Sequence, residues 1–248
     1  MQNVNSVKHA MKKVVYELVG LPSRYAFSSF HYQRHNSRRL EHLASLGLAI
    51  HGSTVLEVGA GIGDHTSFFI DRGCTVVSTD AREKNLRILR ARYPDIRVAP
   101  LEMDDPDQSF TEVFDVVHCY GLLYHLKNPD RAIEFMSGRC RGMLLLETCV
   151  SFGDEAHLNP CEENVKDPTQ AASGHGCRPT RPWVYDNLKK YFAHVYMPVT
   201  QPNHEEFPVD WTDVPAAKSL TRAVFVASRE RLDNVLLVEG IPSLQRRH

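Results

Sequence analysis

The sequence has no apolar run approaching the roughly 18 residues needed to span a bilayer. Stretches such as Met143–Leu146 are only as long as a core strand. It has no Cys-x-x-Cys pair among its six cysteines (Cys74, Cys119, Cys140, Cys149, Cys161 and Cys177). Several of these lie in apolar surroundings, which suits buried free thiols in a reducing compartment better than a disulfide framework. Charge of one sign is also missing: 29 Lys plus Arg stand against 30 Asp plus Glu, a net charge of −1. No broad basic field exists to gather nucleic acid, so any polyanion site must be local. Lys8, Lys12 and Lys13 are not followed by the apolar stretch and small-residue cleavage site of a secretory signal. Together these absences predict a cytoplasmic protein with no membrane span. Internal repeats and low-complexity tracts are absent too.

What is present is the composition of a folded chain: 248 residues, 42% hydrophobic and 24% charged, with 14 Gly and 14 Pro. That length allows one large domain with decorations. Residues 1–50 read as an N-terminal helical arm or cap, with seven basic side chains against two acidic ones. Val4, Val7, Met11, Val14, Val15 and Leu18 recur at helical spacing, and Leu40, Leu43, Leu46 and Leu48 do so again after Asn36 and Ser37. Between them, Leu21–Arg34 carries Tyr25, Phe27, Phe30 and Tyr32.

Residues 51–248 change to short apolar runs alternating with amphipathic helices, the pattern of a parallel sheet covered on both faces. Strands are expected at Thr54–Val58, Thr75–Ser78, Ile96–Ala99, Phe114–Cys119 and Met143–Glu147. Helices are expected near 64–72, 82–93 and 129–139, the last opened by Asn128 and Pro129. The rhythm then breaks. Residues 149–181 form a long insertion rich in Pro, Gly, Ser, His and Asn, which reads as a lid. A helix follows near 182–192, with strands near 194–199 and 222–228 and a second irregular insertion at 201–219.

The most informative segment is Val55-Leu56-Glu57-Val58-Gly59-Ala60-Gly61-Ile62-Gly63-Asp64, an apolar strand running into three alternate glycines and then a helix. Glycines there remove the Cβ atoms that would hold a ligand away from the backbone. A dinucleotide site uses G-x-G-x-x-G over a pyrophosphate. Here Asp64 occupies the place of the last glycine and would repel a diphosphate, which favours a cofactor without phosphate and with a positive centre. A dehydrogenase is for that reason the weakest reading.

With this loop the sequence resembles the class I S-adenosylmethionine-dependent methyltransferases, whose first motif is an acidic residue, a spacer and G-x-G-x-G. The resemblance covers about residues 53–150 and continues through Asp80, nineteen residues after Gly61, Asp104 after the third strand, and Phe114-Asp115 in the fourth. It implies an α/β fold with a doubly wound, mostly parallel seven-stranded sheet and helices on both faces. It also implies S-adenosylmethionine as cofactor and S-adenosylhomocysteine as product. The resemblance would place Glu57, Gly59, Ala60, Gly61, Gly63, Asp80, Ala81, Met103, Asp104, Tyr120 and Gly121 around that cofactor. Asp80 would take the ribose hydroxyls, Asp104 the adenine amino group, Met103 the ring, and Tyr120 with Gly121 the methionine part. Arg34 is a candidate partner for the cofactor carboxylate.

Methyl transfer from a sulfonium needs positioning and desolvation first, and a base only when the acceptor must lose a proton. His125, just past the fourth strand, is either that base or a structural histidine. Its Leu-Leu-Tyr-His-Leu context resembles wobble-uridine tRNA methyltransferases. His175 and Arg178, flanked by Gly174 and Gly176, are a second candidate pair in the lid. Tyr25, Phe27, Tyr32, Tyr124, Arg178 and Trp183 are candidates for the acceptor pocket, with a packing role as the alternative for each. No paired His and Cys spacing supports a metal, so none is expected. The partner expected is a small-molecule acceptor, with no membrane; a homodimer stays open. The alternatives are an RNA methyltransferase and a cofactor-binding protein without transferase activity.

Overall fold

The computed structural model describes residues 27–167, 169–171, 173–214 and 220–248. The predicted helix over Val4–Leu18 and the acceptor candidate Tyr25 lie outside the described residues. Helix α1 (Phe30–Ser45) is followed by β1 (Thr54–Val58), α2 (Thr66–Ile70), β2 (Thr75–Asp80), α3 (Glu83–Arg92), β3 (Arg97–Pro100) and β4 (Phe114–Tyr120). A 3-10 turn at Leu123–His125 leads to α4 (Pro129–Gly138) and β5 (Cys140–Val150). A hairpin of β6 (Pro160–Glu162) and β7 (His175–Cys177) precedes α5 (Arg181–Lys189), β8 (His194–Pro198), β9 (Thr200–Gln201), β10 (Thr221–Ser228), β11 (Leu237–Glu239) and β12 (Arg246–Arg247).

The main sheet runs β11-β8-β10-β5-β4-β1-β2-β3. β3, β2, β1, β4 and β5 are mutually parallel, whereas β10 runs antiparallel to both β5 and β8. The doubly wound, mostly parallel sheet expected from the alternating pattern is present. It has eight strands and not seven, because Leu237–Glu239 adds an antiparallel edge strand to β8. Three residues are too few to show a period-2 pattern.

Apolar side chains on one face of the sheet (Leu56, Val58, Val117 and Leu146) pack with Ile133 and Met136 of α4 and Val184 and Leu188 of α5. On the other face Val55, Val76, Val116 and Leu145 pack with Leu43 of α1 and Phe68 and Phe69 of α2. Both faces are thus covered, which is why these strands are apolar almost throughout. β1 pairs with β2 on one side and β4 on the other, so the chain reverses direction of winding there and opens a crevice at the strands' carboxyl ends.

Three local readings change. Helix α1 begins at Phe30, where the Ser29 side chain accepts the Tyr32 backbone N–H at 3.2 Å, and it absorbs residues first assigned to a connecting stretch. The helix expected over 64–72 is confined to Thr66–Ile70. The long insertion is partly ordered by β6 pairing with β7.

Gly63 sits under α3 with φ +85°, and a Cβ there would lie 2.3 Å from Leu89 Cδ1 and 2.8 Å from the Tyr93 ring. Gly63→Ala is expected to cost about 1–3 kcal/mol by overpacking and about 1–2 kcal/mol more for the left-handed backbone. A denaturant midpoint equal to wild type would show that α3 can move aside.

Candidate active site

At the carboxyl ends of β1, β2 and β4 lies a cavity of about 420 Å³. Its floor comes from the glycine loop and from β2. Asp80 ends β2 and accepts the Gly61 N–H at 2.9 Å on one oxygen, and the Arg82 N–H at 2.8 Å and the Asn85 amide at 3.1 Å on the other. Burial pushes its carboxyl up from the ordinary aspartate value, with the three donors holding it down in part. Gly61 has φ +59°, and a Cβ would stand 3.4 Å from the Phe27 ring, which also lines the cavity. Gly59, Ala81, Leu101, Met103 and Asp104 continue that wall. Asp104 Oδ1 accepts the backbone N–H groups of Lys127 and Asn128 at 2.7 and 2.9 Å, which ties the cavity wall to the start of α4.

The opposite wall is built around Tyr120, Gly121, Tyr124 and His125. His125 Nδ1 makes a short hydrogen bond to Glu163, which also accepts the Ala171 N–H at 2.8 Å and an Arg178 N–H at 3.0 Å. Burial pulls the imidazole below its ordinary value, although Glu163 works in the opposite direction. Burial alone would raise Glu163, but His125, Ala171 and Arg178 outweigh it and hold its carboxyl down to about 2. Glu163 reaches this position because the β6–β7 hairpin packs against the 3-10 turn; a Cβ on Gly176 would stand 2.7 Å from Tyr124 O.

Beneath the aromatic wall lies a buried charge network. Glu147 near the end of β5 bridges Arg39 of α1 and Arg222 of β10, the second at 3.1 Å. Arg222 also donates to Glu206 at 2.6 Å and to the Tyr124 hydroxyl at 3.2 Å. Burial would raise the Glu147 carboxyl, yet the two guanidinium groups prevail and hold it below the ordinary value.

Among the residues singled out in the sequence, Gly59, Gly61, Asp80, Ala81, Met103, Asp104, Tyr120, Gly121, Phe27, Tyr32, Tyr124, His125 and Arg178 all line this one cavity. Others do not meet there. Glu57 is buried behind the loop, where it accepts the Thr66 and Ser78 hydroxyls at 2.6 and 2.7 Å, and burial pushes its carboxyl up to about 7. Ala60 faces a small void beside Glu57, and Gly63 packs under α3. Arg34 points away from the cavity and pairs with Glu205 at 2.7 Å; Arg39, one turn further on and deeper in, is the arginine of α1 that reaches the wall. His175 is exposed on β7 and lines a separate shallow hollow with Cys161 and Cys177. Trp183 is half-buried on α5 and packs on the sheet core. Asp64, read as an obstacle to phosphate, is paired with Arg92 at 2.5 Å.

Sequence reasoning missed Arg39, Glu147, Glu163, Glu206 and Arg222. Only Glu147 carried a usable signal, an acidic residue inside an otherwise apolar strand.

Residues 55–140 match the family described as "Methyltransferase domain". Those residues are a methyltransferase domain. The N-terminal domain of EvdMO1, solved in the presence of SAH and D-fucose, has the same fold: TM-score 0.58, 19% identity, over 81% of this chain and 84% of that one. A tRNA U34 carboxymethyltransferase of Mannheimia succiniciproducens is 33% identical over 137 residues, 52% of this chain and 41% of the relative. A ubiquinone biosynthesis O-methyltransferase of Paracidovorax citrulli is 30% identical over 94 residues, 36% of this chain and 40% of the relative. The chain thus spans about two-fifths of the length of the curated relatives it matches. Among the described residues, no helix of the methyltransferase domain is long and apolar enough to cross a membrane.

Proposed function

We propose that the chain transfers a methyl group from S-adenosylmethionine to a small-molecule acceptor held against His125. The observation that carries this reading is the continuity of one cavity from Asp80 and Gly61 to His125 and Tyr124. The residues present fit the donor: the glycine backbone leaves a cradle that a Cβ at position 61 would narrow, and Asp80 Oδ2 carries only one protein hydrogen bond, leaving acceptor capacity for a hydroxyl. Met103 and Leu101 offer an apolar surface for a flat ring, with Asp104 at its edge.

Bound there, S-adenosylmethionine would supply an electrophilic methyl group on a good leaving group. The chain's own part is to hold the acceptor in line, to exclude water and to take a proton. With Glu163 ionised, the His125 proton sits on Nδ1 and the Nε2 lone pair is the base for an acceptor hydroxyl or ammonium. Arg178, Arg222 and Arg39 each face a carboxylate, whereas Arg82, which also lines the cavity, donates to the backbone carbonyls of Asp167 and Gln170. Acceptor positioning falls to Tyr124, Tyr32 and Phe27, which supply aromatic walls.

Calorimetric titration with the methyl donor and with its demethylated product tests the reading directly. Asp80→Ala is expected to weaken both by about 1–3 kcal/mol, the worth of hydrogen bonds to a charged acceptor. Wild-type affinity in a folded variant removes Asp80 from the cofactor site, and no heat with the wild type removes the reading.

A tRNA acceptor is the second reading, favoured by the relatives described as tRNA U34 carboxymethyltransferases. It requires tRNA binding that falls steeply with salt. The absence of binding at low salt eliminates it.

A further inference from the structure

We infer that His35, His204 and Glu206, with His31 at their rim, form a site for one divalent transition-metal ion, of the imidazole and carboxylate class that takes zinc. His31 and His35 stand one turn apart on the same face of α1, the i, i+4 spacing at which two helix histidines can share an ion. The segment after β9 brings His204, Glu205 and Glu206 up to that face. The ring centroids of His35 and His204 are 4.9 Å apart, and those of His31 and His204 are 5.3 Å apart. One donor atom each from His35, His204 and Glu206 lies within 4.8 Å of the other two, and the same holds for His31, His204 and Glu205.

The observation that asks for an ion is the state of the two inner histidines. His35 is 4% exposed and His204 2%, and the Nε2 atoms of both are buried without a hydrogen-bond partner. Two adjacent orphaned imidazole nitrogens are unusual, because a buried polar atom without a partner is destabilising. Glu206 stands beside them, its Oε2 3.7 Å from His35 Nε2 and its Oε1 3.2 Å from His31 Nε2. Two buried imidazoles and one carboxylate, with a third imidazole at the rim, match the ligand types of zinc sites. Ligands bonded at about 2.0–2.1 Å stand about 3.3 Å apart in a tetrahedron, so the donors need to close by roughly an ångström. The Glu206 N–H donates to His204 Nδ1 over 3.3 Å, a long hydrogen bond that leaves the ring proton on Nε2; for Nε2 to take the ion this contact must break and the proton move to Nδ1.

Arg222 bonds to Glu206 Oε2 and Arg34 to Glu205, so the oxygen open to an ion is Glu206 Oε1, which faces His31 at 3.2 Å. His31, His35 and Glu206 also line the main cavity. The site would tie α1 to the chain after β9. It does not depend on the methyl-transfer reading, since its readout is metal content.

The test is titration of the chelator-treated full chain with Zn2+ and with Co2+ alone, followed by elemental analysis, the visible spectrum of the Co2+ form and the unfolding midpoint. One equivalent is expected, with a midpoint raised by metal. His31→Gln, at an exposed side chain, and His204→Gln should each lower affinity by about 10–100-fold or more, since a direct ligand matters at least as much as its outer partners. His194→Gln, at a remote histidine paired with Glu239, should bind like wild type. His31→Gln decides alone should His204→Gln fail to fold. No uptake by the wild type, or uptake that survives His31→Gln, overturns the proposal.

Discussion

Glu147→Ala is expected to cost about 3–5 kcal/mol of stability, the range for removing one member of a buried ion-pair network. Glu147 is fully buried, and its two partners, Arg39 and Arg222, are 3% and 5% exposed. Alanine leaves two guanidinium groups facing each other in a low-dielectric interior, with only Glu206 near to answer Arg222. Arg39 loses more, because its other side-chain partner is the neutral Asn36 amide at 2.9 Å. Chemical denaturation measures the effect, and a loss below about 1 kcal/mol would mean that water enters and solvates both arginines. The pH dependence supplies a second check. The folded-state carboxyl is held below its ordinary value, so its stabilisation is present above that value and fades as pH falls through the folded one. The variant lacks that contribution and should lose less stability on acidification from neutral pH than the wild type does.

The contrast between what the sequence disclosed and what it concealed follows from chain separation. The β-α rhythm from Thr54 onward, the glycine loop, Asp80 and Asp104 are local patterns, and each lies where its spacing places it. Arg39 meets Glu147 across 108 positions of chain, and Glu147 meets Arg222 across 75. No spacing rule reaches so far. Helix α1 shows a different difficulty. Its inward face carries His35, Asn36, Arg39 and His42, all buried, so the stripe that should be apolar is polar and helical periodicity emerges only at Leu40. A helix face built to serve a site looks like a solvated one. Glu163 was hidden in a segment whose composition reads as loop, where its hydrogen bond to His125 across 38 positions depends on how the hairpin folds. Arg34 and Arg39 are both basic and close in sequence, and only helix phase turns Arg39 inward while Arg34 pairs with Glu205. Asp115 illustrates the reverse case. It belongs to a recognisable Phe-Asp pair yet sits at the far end of β4, where it accepts the Thr54 N–H at 2.8 Å and braces the start of β1.

His125→Ala is expected to lower turnover by about 10²–10⁴-fold, the usual worth of a positioned general base, with little change in affinity for the methyl donor. The separation of the two readouts follows from the contacts: Asp80 bonds the glycine loop and α3, whereas His125 bonds Glu163 of the segment between β6 and β7. Because burial holds the imidazole below its ordinary value, the neutral, base-competent form already prevails at pH 7. The acid limb of the rate profile should therefore fall below pH 6.5, the ordinary histidine value. Glu163→Gln removes the neighbour that raises the His125 value, so the limb should move to still lower pH while the maximal rate drops, since a weaker base accepts the proton less readily. A histidine that only packs would produce a different pattern: both substitutions would change the melting temperature without displacing the limb. Equal turnover for His125→Ala in the folded protein would return His125 to a structural role and leave positioning and desolvation to carry the transfer.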